Sequence, residues 1–271
     1  MNPRIHACFA SLAKQSRQAL VPYITAGYPE RATTVPLMHA MVAAGADIIE
    51  LGVPFSDPMA DGPVIQAAGD VALAQGVGMK VVLDFVREFR RTDATTPIVL
   101  MGYTNPIERY GLDRFMVDAK ASGVDGLVVV DTPPEESLEL TQKCREQAMD
   151  LIFFLAPTSM DERIKMVAEM ATGYVYYVSM RGITGAGHLD MTEVLSKVAH
   201  LKKLLPMPVG VGFGIRDAES AKSIASVADA VIIGTKIIQL LGDGPLDQAI
   251  ERVSDFVSGV RAAMDTSRVA N

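Results

Sequence analysis

The chain has 271 residues, 49% of them apolar and 21% charged, with a net charge of −7. This balance excludes a disordered chain and leaves enough apolar residues for a full core. No basic face is evident, which argues against binding along a nucleic-acid backbone. No apolar run reaches the roughly 18 residues of a membrane span. Cys8 and Cys144 stand far apart with no CxxC pattern, which points to a reducing compartment and no disulfide framework.

The N-terminus, MNPRIHACFASLAKQSRQ, lacks the continuous apolar segment of a secretory signal. It reads as a short amphipathic helix covering one end of the fold. Apolar runs then recur at 20–25, 47–52, 97–102, 125–130, 150–155, 174–179, 207–212 and 229–234. Near-continuous apolar strands imply a parallel sheet buried on both faces. Helical patterns follow these runs at 33–44, 78–91, 112–121, 136–148, 161–171, 191–204, 217–226 and 246–263. Alternating β and α leaves a closed barrel or an open doubly wound sheet. No GxGxxG follows the first run, and eight even units favour a single (β/α)8 TIM barrel spanning 1–271.

The long interval falls after the second strand. It carries VPFSDPMADGPVIQAAGDVALAQG, which predicts an extended ordered loop with a short helix near 62–74. The pairs Arg90-Arg91 and Lys202-Lys203 read as solvated helix faces, and the tail TSRVAN as frayed.

Candidate chemistry begins at Glu50. It shares a strand face with Ile48, opposite Ile49 and Leu51. At the C-terminal end of a barrel strand an inward acid faces the mouth, although a structural acid paired with a cation fits the position equally well. Asp61, in MADGP, and Asp57, in SDP, both fit turn chemistry, and spacing does not choose between them. Two carboxylates near one mouth suit acid/base chemistry, which glycosidases also use. Late in the chain, GITGAG (182–187), GFGI (212–215) and GTK (234–236) follow three consecutive strands. Glycines before helix N-termini let backbone N–H groups approach a phosphate. Thr235 adds a hydroxyl, whereas Lys236, one step into a helix, is expected to point to solvent. Tyr174, Tyr176 and Val178 share one face of the sixth strand, where a tyrosine serves as core filler or pocket wall. His6, His39, His188 and His200 form no metal-ligand spacing.

The stretch ELGVPFSDPMADGP at 50–63 closely resembles the strand-two signature of tryptophan synthase alpha subunits. The resemblance extends through VPYITAGYP (21–29), MGYTNPIERYG (101–111), GVDGLVVVDTPPEES (123–137), APTS (156–159), YYVSMRGITGAG (176–187) and GVGFGI (210–215). It implies catalytic roles for Glu50 and Asp61, and substrate-pocket positions at Tyr23, Met101, Val130, Tyr176, Thr184 and Phe213. It implies phosphate contacts at Gly185, Gly214, Gly234 and Thr235, the last a serine in most relatives. Pro54, Phe55 and Asp57 fall in the segment that meets the beta subunit. Met59 stands where leucine is usual, a volume-conserving change, and Lys236 stands where a smaller residue is common.

The resemblance further implies a cytoplasmic lyase that needs no metal or redox cofactor. It would split indole-3-glycerol phosphate by a retro-aldol reaction and pass indole to a pyridoxal-phosphate-dependent beta subunit within an α2β2 assembly. A stand-alone lyase and a non-catalytic paralogue that only activates a partner are the competing readings. Retention of both acids argues against the second.

Overall fold

The computed structural model describes residues 2–178, 191–212 and 214–266. Its strands are β1 (Ala19–Thr25), β2 (Ile49–Gly52), β3 (Ile98–Gly102), β4 (Gly126–Val129), β5 (Asp150–Ile152), β6 (Phe154–Leu155), β7 (Val175–Val178), β8 (Val209–Gly212) and β9 (Ala230–Ile233). Neighbours pair in parallel in the order β5-β4-β3-β2-β1-β9-β8-β7-β6. The two ends of that order, β5 and β6, are separated in the chain by Phe153 alone. The run expected at 150–155 is thus one strand in two segments, and through it the sheet closes. The Phe153 carbonyl accepts from the Tyr176 N–H at 3.0 Å at this seam. The result is the eight-unit TIM barrel that the alternating pattern predicts.

Strand alternation sorts the side chains into two cores. Ala19, Val21, Ile48, Val99, Val128, Ile152, Tyr174, Ala230 and Ile232 fill the barrel interior. Leu20, Ile24, Ile49, Leu51, Leu100, Leu127 and Val211 face outward into the larger core beneath the helices. The N-terminal helix Pro3–Lys14 begins at Asn2, whose side chain accepts from the Arg4 and Ile5 N–H groups, with proline in the first turn. It presses Ile5, Phe9 and Leu12 against the interior cluster, with Phe9 and Tyr174 ring centroids 5.8 Å apart. This helix plugs the bottom of the barrel, as its amphipathic pattern predicts. The helix in the long second loop spans Pro63–Ala74. A further helix, Thr104–Tyr110, lies outside the helical patterns read from the sequence. Pro106 is accommodated because first-turn N–H groups have no intrahelical acceptor.

Aspartates close the N-terminal face. At the barrel's lower rim, a carboxylate preceding one strand accepts an N–H from the first or second residue of a neighbouring strand. Asp47 accepts from the Leu20 N–H at 2.8 Å, Asp125 from Ile98 at 2.9 Å and Asp229 from Val209 at 2.9 Å. Cations from the helices neutralise them: Arg261 on Asp47, Arg4 and Arg90 on Asp125, and Lys202 on Asp229.

Arg90 therefore corrects the expectation of a solvated pair. Its side chain is only 10% exposed and meets Asp125 at 2.6 Å. It also donates to the carbonyls of Gly123, Thr96 and Asp93. It sits at the C-cap of the helix Met79–Phe89, where the guanidinium can turn under the sheet. Asp125→Ala leaves this buried guanidinium without its carboxylate. It is expected to cost about 3–5 kcal/mol in urea unfolding, whereas Arg4→Ala, at a one-third exposed partner, costs about 1 kcal/mol or less.

Candidate active site

Glu50 lies on β2, in register with Tyr23 on β1 and Val99 on β3. It follows Ile48 on the inward face, so the same alternation that fills the barrel places a carboxyl inside it. The side chain is 0% exposed, and both carboxyl oxygens lack a hydrogen-bond partner among the described residues. Burial alone pushes its pKa up to about 8. A structural acid in this position would carry a paired cation, as the aspartates below do; Glu50 carries none among the described residues.

Asp61 sits in the loop between β2 and the helix Pro63–Ala74. Its N–H donates to the Pro58 carbonyl at 3.0 Å, and Gln66 from that helix donates to the Asp61 and Pro58 carbonyls at 2.8 and 3.3 Å. Tyr103, directly after β3, accepts from the Ala60 N–H at 3.0 Å and donates to the Asp61 carboxylate. Burial raises Asp61 to about 6, with the Tyr103 hydrogen bond opposing the rise. Asp57, by contrast, is exposed and held by Ser56 Oγ at 2.6 Å. The phenol of Tyr23 feels both Asp61 and Glu50, which together with burial raise its pKa. Burial thus raises the proton affinity of both acids, Glu50 further than Asp61, and both act on the same phenol.

The interior tyrosines fit because glycines face them across the sheet. A Cβ on Gly52 would overlap the Tyr23 hydroxyl, and one on Gly212 the Tyr176 hydroxyl. Tyr176 is half-buried against Phe154, with ring centroids 4.8 Å apart. Met101 and Val130 are half-buried beside the interior cluster, and Phe55 packs on Tyr103 at 5.3 Å. Pro54 is buried, so within the expected partner segment the surface is offered by Phe55, Asp57 and their neighbours.

Two late helices differ at their N-termini. The helix Ala218–Ala225 is closed by Asp217, which accepts from the Ser220 N–H at 2.8 Å in a capping box. The helix Thr235–Gly242 starts from Gly234, which offers no side-chain cap. Ile237 and Ile238 N–H groups bond back to the Gly234 carbonyl. The N–H groups of Thr235 and Lys236 have no acceptor among the described residues, which leaves the positive end of this helix open to an anion. Gly214, at φ +75°, turns the chain after β8. Thr184, Gly185 and Phe213 lie outside the described residues. Lys236 does not simply point to solvent: it is half-buried in a cleft of about 540 Å³ with Tyr28, Val64 and Asp243.

Sequence reasoning missed Tyr103, Gln66 and Thr25. The signal for Tyr103 was its place at the C-terminal end of a barrel strand. Gln66 carried no signal, because its contacts exist only once loop and helix are folded together. Thr25 was recognisable as the residue two positions beyond Tyr23 on the inward face.

The model of the tryptophan synthase alpha chain family matches residues 9–265. The tryptophan synthase alpha chain of Janthinobacterium sp. (strain Marseille) is 56% identical over 262 residues, covering 97% of this chain and 99% of the relative. That of Cupriavidus pinatubonensis is 57% identical over the same length, with the same coverage of each chain. Among solved structures, the tryptophan synthase alpha subunit of Legionella pneumophila str. Paris superposes with a TM-score of 0.92 at 40% identity, covering 98% and 99% of the two chains. The aminoacrylate-bound tryptophan synthase of M. tuberculosis gives 0.86 at 34% identity, over 96% and 99%. With barrel, acids and open helix end in place, the chain belongs to the tryptophan synthase alpha chain family, lyases that cleave indole-3-glycerol phosphate to indole and glyceraldehyde 3-phosphate.

Proposed function

We propose that Glu50 and Asp61 perform that cleavage, with the substrate phosphate held at Gly234 by the open N–H groups of Thr235 and Lys236, and by Gly185 and Gly214. The observation that carries the reading is the difference in surroundings, Glu50 fully buried with no partner among the described residues and Asp61 beside the Tyr103 phenol, which keeps its rise in pKa smaller. Glu50 protonates indole C3, which turns the ring into an electron sink. The C3–C1′ electron pair then returns to the ring as the bond breaks. The C1′ hydroxyl gives its proton back to Glu50 and becomes the aldehyde, so the acid is regenerated. Asp61 accepts from the indole N–H and stabilises the positive charge developing on the ring. Tyr23, Met101, Val130 and Tyr176 wall the ring, and the anchored phosphate supplies alignment. Because Glu50 is fully covered without substrate, the walls above it part on binding.

The chain itself needs no cofactor in this scheme. Its product is a small apolar molecule that would escape into water or membrane, which favours direct transfer to a pyridoxal-phosphate-dependent beta subunit in a cytoplasmic α2β2 assembly. Phe55 and Asp57 lie on the rim that would meet that subunit. Met59, 85% exposed, Leu138, 75%, and Met160, 74%, stand on the segments that follow β2, β4 and β6, Leu138 opening a helix, and supply apolar surface for the contact.

Glu50→Gln and Asp61→Asn are each expected to lower indole release roughly 10²–10⁴-fold in steady-state assays; near-parental turnover in either variant removes that residue from the mechanism. Below about 6 Asp61 takes up a proton and stops accepting, and above about 8 Glu50 loses the proton it must donate. The initial-rate profile of kcat/KM should therefore be a bell with limbs near those values. Tyr103→Phe, which removes the bond favouring ionised Asp61, should move the lower limb upward. Titration with beta subunit should raise the rate of indole release, and an unchanged rate favours a stand-alone lyase.

A further inference from the structure

The inward face of β1 carries two hydroxyls one layer apart, Tyr23 Oη and Thr25 Oγ1, 3.3 Å from each other. Both residues are buried, Tyr23 at 6% and Thr25 at 2% exposure. Two hydroxyls own two protons, and the bond between them uses one. The other has no acceptor among the described residues, and a buried donor left unpaired is costly. Glu50 is the strand neighbour of Tyr23, yet its oxygens receive no hydrogen bond among those residues. The phenol is aimed past the carboxyl, toward Gly52 and Thr25 and hence toward the mouth.

The placement of the Tyr23 ring says what acceptor could use that proton. β1 lies between β2 and β9, and the ring spans both neighbours. Its near carbons lie against Gly234, with Cδ1 3.2 Å from where a Cβ would stand. Its hydroxyl end lies against Gly52, two residues from Glu50. A substrate whose ring sits at the acids and whose phosphate sits at Gly234 must lay its three-carbon chain across Tyr23. In indole-3-glycerol phosphate that chain carries two hydroxyls, each able to accept.

We infer that the Tyr23–Thr25 hydroxyl pair is a specificity element that donates its spare proton to a hydroxyl of the substrate's glycerol chain, selecting a hydroxylated linker over a bare alkyl one. The inference rests on the placement of ring and phosphate given under the proposed function. A site built to bond a substrate hydroxyl discriminates against the analogue that lacks it, because its own polar group is then left unpaired.

The test uses the full chain carrying Glu50→Gln, which blocks cleavage so that binding can be read by calorimetry. Two ligands are compared, indole-3-glycerol phosphate and 3-(indol-3-yl)propyl phosphate, which lacks both hydroxyls. Adding Tyr23→Phe and Thr25→Val together should weaken the glycerol ligand about 5–10-fold and leave the propyl ligand within about twofold. Equal losses for both ligands would mean that the pair only packs the floor, and no loss for either would mean that it touches nothing; both overturn the inference. If the double change does not fold by circular dichroism, Tyr23→Phe alone is read for the same ligand ratio. Wild-type indole release is measured in parallel. Its absence would sink the proposed function beneath the inference, whereas its presence with an unchanged ligand ratio would sink the inference alone.

Discussion

The structure turns on a carboxyl group buried without a partner. Taking Glu50 out of water disfavours its charged form, and no cation or N–H group among the described residues compensates. The result is an acid that keeps its proton near neutral pH. The barrel can hold such a group because the rest of its interior is complete. Alternating side chains fill the lower layers, the N-terminal helix seals the bottom, and the cost of one unpaired carboxyl is spread over a large, continuous core.

The two ends of the barrel treat carboxylates in opposite ways. At the bottom, Asp47, Asp125 and Asp229 each accept a strand N–H and face a basic side chain. These bonds and cations hold the rim, although burial raises the proton affinity of Asp47 here as well. At the top, burial raises the proton affinity of Glu50 and Asp61, and Glu50 has no hydrogen-bond partner among the described residues. Carboxyl groups at the two ends thus differ in what is placed beside them.

Glycine and tyrosine are matched across strands in the catalytic half. Gly52 and Gly212 leave the space that the Tyr23 and Tyr176 hydroxyls occupy. Large rings can therefore occupy the interior beside Glu50. The open N-terminus at Gly234 also lies against Tyr23. One side chain thus reaches from the strand of Glu50 to the open helix end.

What the sequence determined by itself was everything carried by local periodicity. The eight apolar runs, most of the helices between them, the plug helix and the helix at Pro63–Ala74 were legible, because hydrophobic spacing and turn residues act over a few positions; the helix Thr104–Tyr110 was not. The inward direction of Glu50 was legible for the same reason. Tertiary structure alone decided whether Glu50 had a partner, since that depends on what seven other strands present to it. It decided that Asp61 sits beside Tyr103 while Asp57 stays exposed, because Tyr103 and the Ala60 N–H it accepts from, 43 positions apart, meet only when the barrel closes. It also turned Arg90 under the sheet, where it meets Asp125 and the Gly123 carbonyl. Each outcome rests on contacts between distant segments, to which the spacing of residues along one segment carries no information.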